Sequence, residues 1–410
     1  MVGKRFIYIV FSVFFSFILV LFSGCDVNFV KENTSFKVST EGEKEITSLQ
    51  SENKKTDTLR ALWLSCYDMK KTTGYSKKEF EAFAKEVVNN AYLLGYNTIF
   101  FHIRPFGDAF YKSSLFPFSE FLTGTRGQDP GFDPLEIFIA QAKDKGIELH
   151  GWINPYRMSQ SDDYNNLTED ELLRSWLNDK SGRAKAFGGR FYLDPGHPDC
   201  IDIVLKGVKE VLENYNIDGI HFDDYFYPTT SPEFDKDTYS TYTKNGGKLS
   251  LDDWRRANVN SLVASVYRLC GRYKKTFGIS PSAHISLDKT DKNYNEAYAD
   301  IALWIREEGF VNYIAPQLYF GYEYKTEEFK FNNLLNLWGN MPKEKNISVY
   351  IGIGAYKIDQ PTAADGDEWK HQGKELVLRQ ISDCLDKGFD GYAVFSYEQA
   401  VKYNLNWLRP

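Results

Sequence analysis

Cysteine is scarce and scattered. Only five occur in 410 residues, and Cys66, Cys200, Cys270 and Cys384 show no paired Cys-x-x-Cys spacing, which argues against a disulfide framework or a zinc cluster. Buried free thiols are the expectation. Positive charge is not in excess either: 49 basic side chains face 56 acidic ones, a net −7, so no cationic field gathers a phosphate backbone. No nucleic-acid partner is expected. A Gly-rich phosphate loop after the first strand, the His-x-His and His-Glu-x-x-His ligand spacings and a short-period repeat are also missing. These absences weigh against a dinucleotide-binding sheet, a bound cofactor, a metal-dependent hydrolase or deacetylase, and a solenoid.

What is present suits a large globular domain, with 42% hydrophobic and 26% charged residues. Aromatics reach 16%, more than a core of this size requires, and surplus Tyr and Trp often line ligand grooves. The long apolar run, Phe6 to Phe22, follows Lys4 and Arg5 and is short for a membrane span but right for a secretory signal. It ends in Leu21-Phe22-Ser23-Gly24-Cys25, which resembles a bacterial lipoprotein cleavage box with Cys25 as the lipidated first residue. Residues 1–24 are therefore expected to be a signal peptide. Residues 25–57, rich in Lys, Glu, Asn, Thr and Ser, read as the lipidated cysteine and a flexible tether that holds residues 58–410 off a membrane in the cell envelope.

Beyond the tether, strand-like and helix-like segments alternate. The strands are Leu59 to Ser65, Thr98 to Arg104, Ile147 to Asn154, Ile217 to Asp224, Phe277 to Ser280, Val311 to Tyr319, Ile347 to Ile353 and Gly391 to Glu398. Seven helices separate them, beginning at Ser76, Pro134, Pro198, Leu251, Asn295, Glu327 and Gly373. This alternation predicts an α/β fold, a parallel sheet closed into a (β/α)8 TIM barrel, with an open doubly wound sheet as the alternative. In such a barrel chemistry sits at the C-terminal strand ends, because the interior is packed.

The fourth strand end is the sharpest signal. Asp223 and Asp224 close an apolar strand, where carboxylates without partners are costly. Alternation points one of them into the mouth; if that is Asp223, His221 lies one layer deeper on the same face, and the same argument places His102 below Arg104 and His150 below Trp152 and Asn154. Three interior imidazoles raise a metal hypothesis, but mutual hydrogen bonding explains them as well. Paired carboxylates with aromatic walls point to glycoside chemistry, in which one carboxyl protonates the leaving oxygen and another attacks or activates water. The Asp-Gly-x-His-x-Asp element resembles the fourth-strand element of the α-amylase clan, and loosely that of family 18 chitinases, although Tyr225 stands where their acid would be.

A longer resemblance covers most of the chain in order. His102-Ile-Arg-Pro-Phe-Gly-Asp-Ala-Phe-Tyr111, Gly131-Phe-Asp-Pro134, Gly151-Trp-Ile-Asn-Pro-Tyr-Arg157, Leu193-Asp-Pro-Gly196, Asp218 through Pro228, Phe277-Gly-Ile-Ser-Pro281 and Ala315-Pro-Gln-Leu-Tyr319 resemble the glycosyl-hydrolase-like family 10 lipoproteins. Ser282-Ala283-His284-Ile285 departs from the Gly-Ile-Trp expected after the fifth strand. The resemblance implies a glycosidase-type barrel and a cell-envelope polysaccharide as substrate, the peptide-stripped glycan of peptidoglycan, which a division-site member of that family cleaves. Asp223 is then the expected nucleophile or base, with Asp224 supporting it or exchanging roles, and Glu398 and Glu323 are candidates for the acid. Arg104, Asp108, Asn154, Arg157, His221 and Gln317 are expected to contact sugar hydroxyls or N-acetyl groups, while Trp152, Tyr225 and Tyr319 stack on pyranose faces. A catalytically silent glycan-binding barrel is the rival reading.

Overall fold

The computed structural model describes residues 58–406 apart from Asp224; the signal-like run, Cys25 and the tether lie outside the described residues. Eight parallel strands close into one barrel: β1 (Leu59–Leu64), β2 (Thr98–Arg104), β3 (Glu148–Ile153), β4 (Gly219–Phe222), β5 (Thr276–Ile279), β6 (Tyr313–Ile314), β7 (Ser348–Gly354) and β8 (Gly391–Phe395). Leu59 registers with Gly391 on one side of β1, and Ala61 with Thr98 on the other, so no sheet edge is left open. The helices that follow each strand are α1 (Lys77–Leu93), α2 (Pro134–Lys145), α3 (Pro198–Asn214), α4 (Leu251–Arg272), α5 (Ile301–Arg306), α6 (Phe331–Gly339), α7 (Lys374–Asp386) and α8 (Tyr397–Lys402). The alternation read from the sequence is thus a (β/α)8 barrel. No helix among the described residues is long and apolar enough to cross a membrane.

Local chemistry sets the helix starts. Ser76 and Glu79 form a reciprocal capping box on α1, with the Ser76 N–H donating to the Glu79 carboxylate at 2.8 Å. Asp133 accepts the Leu135 and Glu136 N–H groups ahead of Pro134 on α2. Apolar residues then sort by strand alternation. Leu62, Ile99, Phe101, Leu149, Ile220 and Phe222 join the shell between sheet and helices, whereas Ala61, Trp63, Phe100, Trp152, Tyr313, Ala315 and Ala393 fill the barrel interior. Each large side chain buried this way contributes about 1.5–3 kcal/mol. All four described cysteines are buried free thiols, and burial pushes their thiol pKa values up, which leaves them unreactive.

Two strand boundaries differ from expectation. The sixth strand shortens to Tyr313–Ile314 because Pro316, with no N–H to give, interrupts the ladder; pairing resumes only as isolated bridges from Gln317 to Ser282 and Gly352. The eighth strand stops at Phe395, and α8 begins in its place. The cause is Asp68, from the loop after β1: its Oδ1 accepts the Ser396 hydroxyl at 3.3 Å and the Glu398 N–H at 3.1 Å, which caps a helix where the strand would have run on. A β-hairpin, Ala184–Phe187 with Arg190–Leu193, is inserted between β3 and α3 and was not legible from periodicity.

Candidate active site

Asp223 continues the inward alternation of His221 at the C-terminal end of β4 and is only 2% exposed. Its Oδ2 accepts the Trp152 indole N–H at 3.2 Å, and its Oδ1 accepts the Tyr225 backbone N–H at 3.3 Å. Around it stands an aromatic mouth. Trp152 stacks on His102 with ring centroids 3.5 Å apart, Trp63 meets Tyr319 and Phe395 edge-on at 6.3 and 6.2 Å, and Tyr319 lies 5.8 Å from both Tyr356 and Phe395. Gly354 makes room for Tyr319, since a Cβ there would lie 2.8 Å from the Tyr319 Cβ. Tyr225 is half exposed beneath the Arg157 guanidinium, 4.3 Å from its ring centroid. Such a rim offers flat apolar faces for sugar rings around a carboxylate.

The floor of the mouth is a directed hydrogen-bond chain. Trp63 Nε1–H can only donate, and it meets His221 Nε2 at 3.3 Å, so the hydrogen of that imidazole sits on Nδ1. That nitrogen donates to the Tyr313 hydroxyl at 2.9 Å, which leaves the phenolic hydrogen for His150 Nδ1, also at 2.9 Å. Phe100 stacks on His221 with centroids 4.3 Å apart. The Tyr313 hydroxyl, which the sequence reading overlooked, is what brings two of the three imidazoles together. The third, His102, is stacked on Trp152 instead, and among the described residues no group of three metal-ligating side chains converges.

Burial pulls the His221 and His102 pKa values well below the ordinary 6.5, with Arg157 adding to the effect on His102 and His150 to that on His221. The unfolded chain takes up protons as pH falls through 6.5 while the folded barrel does not, so each imidazole withdraws about 1.4 kcal/mol of stability per pH unit below that point. Asp68, Glu171, Asp194 and Glu368 act in the opposite sense at lower pH, burial having raised their carboxyls. The thermal midpoint is expected to fall between pH 7 and 5.5, and the slope to flatten in His221→Gln; an unchanged slope in that variant would assign the effect to other groups.

Several expected contacts are placed elsewhere. Arg104 does not face the mouth: a bulge between His102 and Arg104 breaks the alternation and pairs it with outward-facing Ile153. Its guanidinium lies 4.6 Å from the Phe116 ring against α3, where a Cβ on Gly207 would approach Nη1 to 2.3 Å. His221 is fully buried with both nitrogens engaged, so it supports the floor and does not meet a ligand. Glu398 is exposed in the first turn of α8, and Glu323 is exposed in the loop after β6, its N–H held by buried Glu368 at 2.8 Å. Asp108 is buried and accepts the Phe106 N–H at 2.9 Å, the Asn154 amide braces Pro105 O at 3.0 Å, and the Gln317 amide donates to Ser280 O at 2.9 Å. Asp224 lies outside the described residues.

Two buried ion pairs hold the loops that carry the site. Arg126 pairs with Glu171 at 2.8 Å and donates to Phe106 O, Gly107 O and Met158 O, tying the loops after β2 and β3 together. Arg255 of α4 grips Asp235 through two hydrogen bonds of 2.8 and 2.5 Å and also binds Thr230 O and Ser231 O, anchoring the loop that leaves Asp223.

Known proteins share this architecture. The glycoside hydrolase domain of PgaB (BpsB) from Bordetella bronchiseptica superposes with a TM-score of 0.59 at 11% identity, over 86% of this chain and 100% of that domain, a likeness of fold. Glycosyl hydrolase YngK of Bacillus subtilis is 36% identical over 339 residues, 77% of this chain and 64% of its own length. Glycosyl hydrolase DigH of Escherichia coli is 34% identical over 313 residues, 72% of this chain and 70% of its own length. The chain therefore spans just under two thirds of the first of these relatives. The family model of the glycosyl hydrolase-like 10 proteins matches residues 58–371, from β1 into the segment before α7, and the chain belongs to that family.

Proposed function

We propose that the protein is a glycoside hydrolase that cleaves a polysaccharide at the C-terminal mouth of its barrel, with Asp223 as nucleophile or base. The observation that carries this reading is the buried Asp223 carboxylate, aimed into an aromatic mouth and oriented by the Trp152 indole. Relatives named as glycosyl hydrolases at 34–36% identity support the reaction class. Asp224, next in the chain, Glu323, in the loop after β6, and Glu398, in the first turn of α8, are the carboxyls available for the partner role. The lipoprotein-like box at Cys25 supports an extracytoplasmic protein held to a membrane by a lipid, and with it the substrate we favour, the peptide-stripped glycan of the cell envelope.

The test is to incubate the purified protein with peptide-free peptidoglycan glycan and with α- and β-glucan panels, reading products by mass spectrometry. Shortened peptidoglycan glycans with intact glucans are expected. Binding without cleavage of any glycan would reassign the barrel to glycan capture alone.

A further inference from the structure

Next to the groups that hold Asp223, the mouth carries polar atoms without a well-formed hydrogen bond among the described residues. Arg157, three residues beyond Asn154 in the loop after β3, has its guanidinium held between two rings, 4.9 Å from the Phe106 centroid and 4.3 Å from that of Tyr225. Among the described residues no carboxylate pairs with it, and its Nε is buried without an acceptor. Two neighbours share that condition. Asn154 Oδ1 and both ring nitrogens of His102 are buried without a well-formed hydrogen bond, in residues only 1% and 2% exposed, although the two side chains interact with each other, and the Arg157 charge acts on His102. Groups left this way cost the fold free energy and call for a partner from outside. They adjoin the reacting centre: Tyr225, whose ring supports Arg157, gives its N–H to Asp223, and Trp152, on which His102 stacks, gives its indole N–H to the same carboxylate.

A guanidinium locked between rings keeps its N–H fork pre-formed for a planar anion and loses little freedom on binding one. With a net charge of −7 the chain offers a polyanion no long-range attraction, so capture of an acidic glycan depends on such a local cation. We propose that Arg157 is the receptor for a carboxylate on the sugar bound beside Asp223, while Asn154 and His102 meet amide and hydroxyl groups of that sugar. The ligand class is a sugar that carries a free carboxylate. This rests on the glycosidase reading above and deepens it. In peptidoglycan the lactyl carboxyl is tied up as an amide while the peptide is attached, and removing the peptide exposes it. Arg157 therefore makes peptide removal a condition for productive binding.

The test is calorimetric binding to the Asp223→Asn protein, with peptide-free glycan, the same glycan with its carboxyls converted to methylamides, and an oligo-uronate. The acid glycan is expected to bind on the order of 10- to 100-fold more tightly than its methylamide, the strength of a charge-assisted fork. Arg157→Gln should erase that difference by weakening only the acid form, and Arg157→Lys should keep part of it. Equal affinities for acid and amide, or equal losses for both in Arg157→Gln, would overturn the receptor. If Arg157→Gln fails to fold, the acid-to-amide ratio and Arg157→Lys carry the test. Cleavage of both glycan forms at one rate by the unsubstituted protein would keep the glycosidase and remove the receptor. Arg157-dependent binding of the oligo-uronate alone would keep the receptor and remove peptidoglycan as the substrate, whereas no binding to either acidic glycan overturns the receptor.

Discussion

Asp223→Asn is expected to lower the rate of glycan cleavage by about 10²- to 10⁴-fold, the range for loss of a positioned acid, base or nucleophile. The substitution is isosteric, so the aromatic mouth keeps its shape. One carbonyl oxygen remains to accept either the Trp152 indole or the Tyr225 N–H, and the other donor loses its acceptor, a cost of about 1 kcal/mol. The thermal midpoint should therefore shift by only a few degrees while activity collapses. Glu323→Gln and Glu398→Gln are informative beside it. Both positions are exposed, so neither change should touch stability, and a rate loss comparable to that of Asp223→Asn in one of them would name the second carboxyl. If Asp223→Asn retains more than about a tenth of the activity, the reacting carboxylate is another.

The largest effect on stability is expected at Asp235→Ala. Arg255 and Asp235 are both fully buried, and removing one partner leaves the guanidinium without a counter-charge, at a cost of about 3–5 kcal/mol. Denaturant unfolding should show the midpoint falling accordingly. The double variant Asp235→Leu with Arg255→Met removes both charges and should recover much of the loss, because a buried pair gains little over apolar packing of similar volume. Cleavage should not recover with it. Arg255 also donates to Thr230 O and Ser231 O, and without those bonds the loop leaving Asp223 is no longer anchored to α4. Parallel recovery of stability and cleavage would show that the loop needs no such anchor.

Periodicity found the strands, and in the structure their two-residue alternation sorts Trp63, Phe100 and Trp152 into the barrel interior. It failed at Arg104, where one extra residue in β2 turned an expected mouth residue outward, and nothing in His102-Ile-Arg-Pro announces a bulge. The end of the last strand was misplaced for a different reason. A strand pattern runs through Phe395-Ser396-Tyr397, but Asp68, 330 positions earlier, caps the chain into a helix there. Tyr313 was passed over because its hydroxyl gains meaning only once His150 and His221 are placed on either side of it.

By itself, then, the sequence determined the barrel, the order of its elements and the family, since each of these depends on local periodicity, caps and short motifs that survive without knowledge of distant neighbours. The tertiary structure decided which polar residues share the mouth. Arg157 lies over Tyr225, which gives its N–H to Asp223, while Arg104 lies behind the wall and His221 in the floor, because a side chain's surroundings in a closed barrel are set by register and by contacts between residues far apart in the chain.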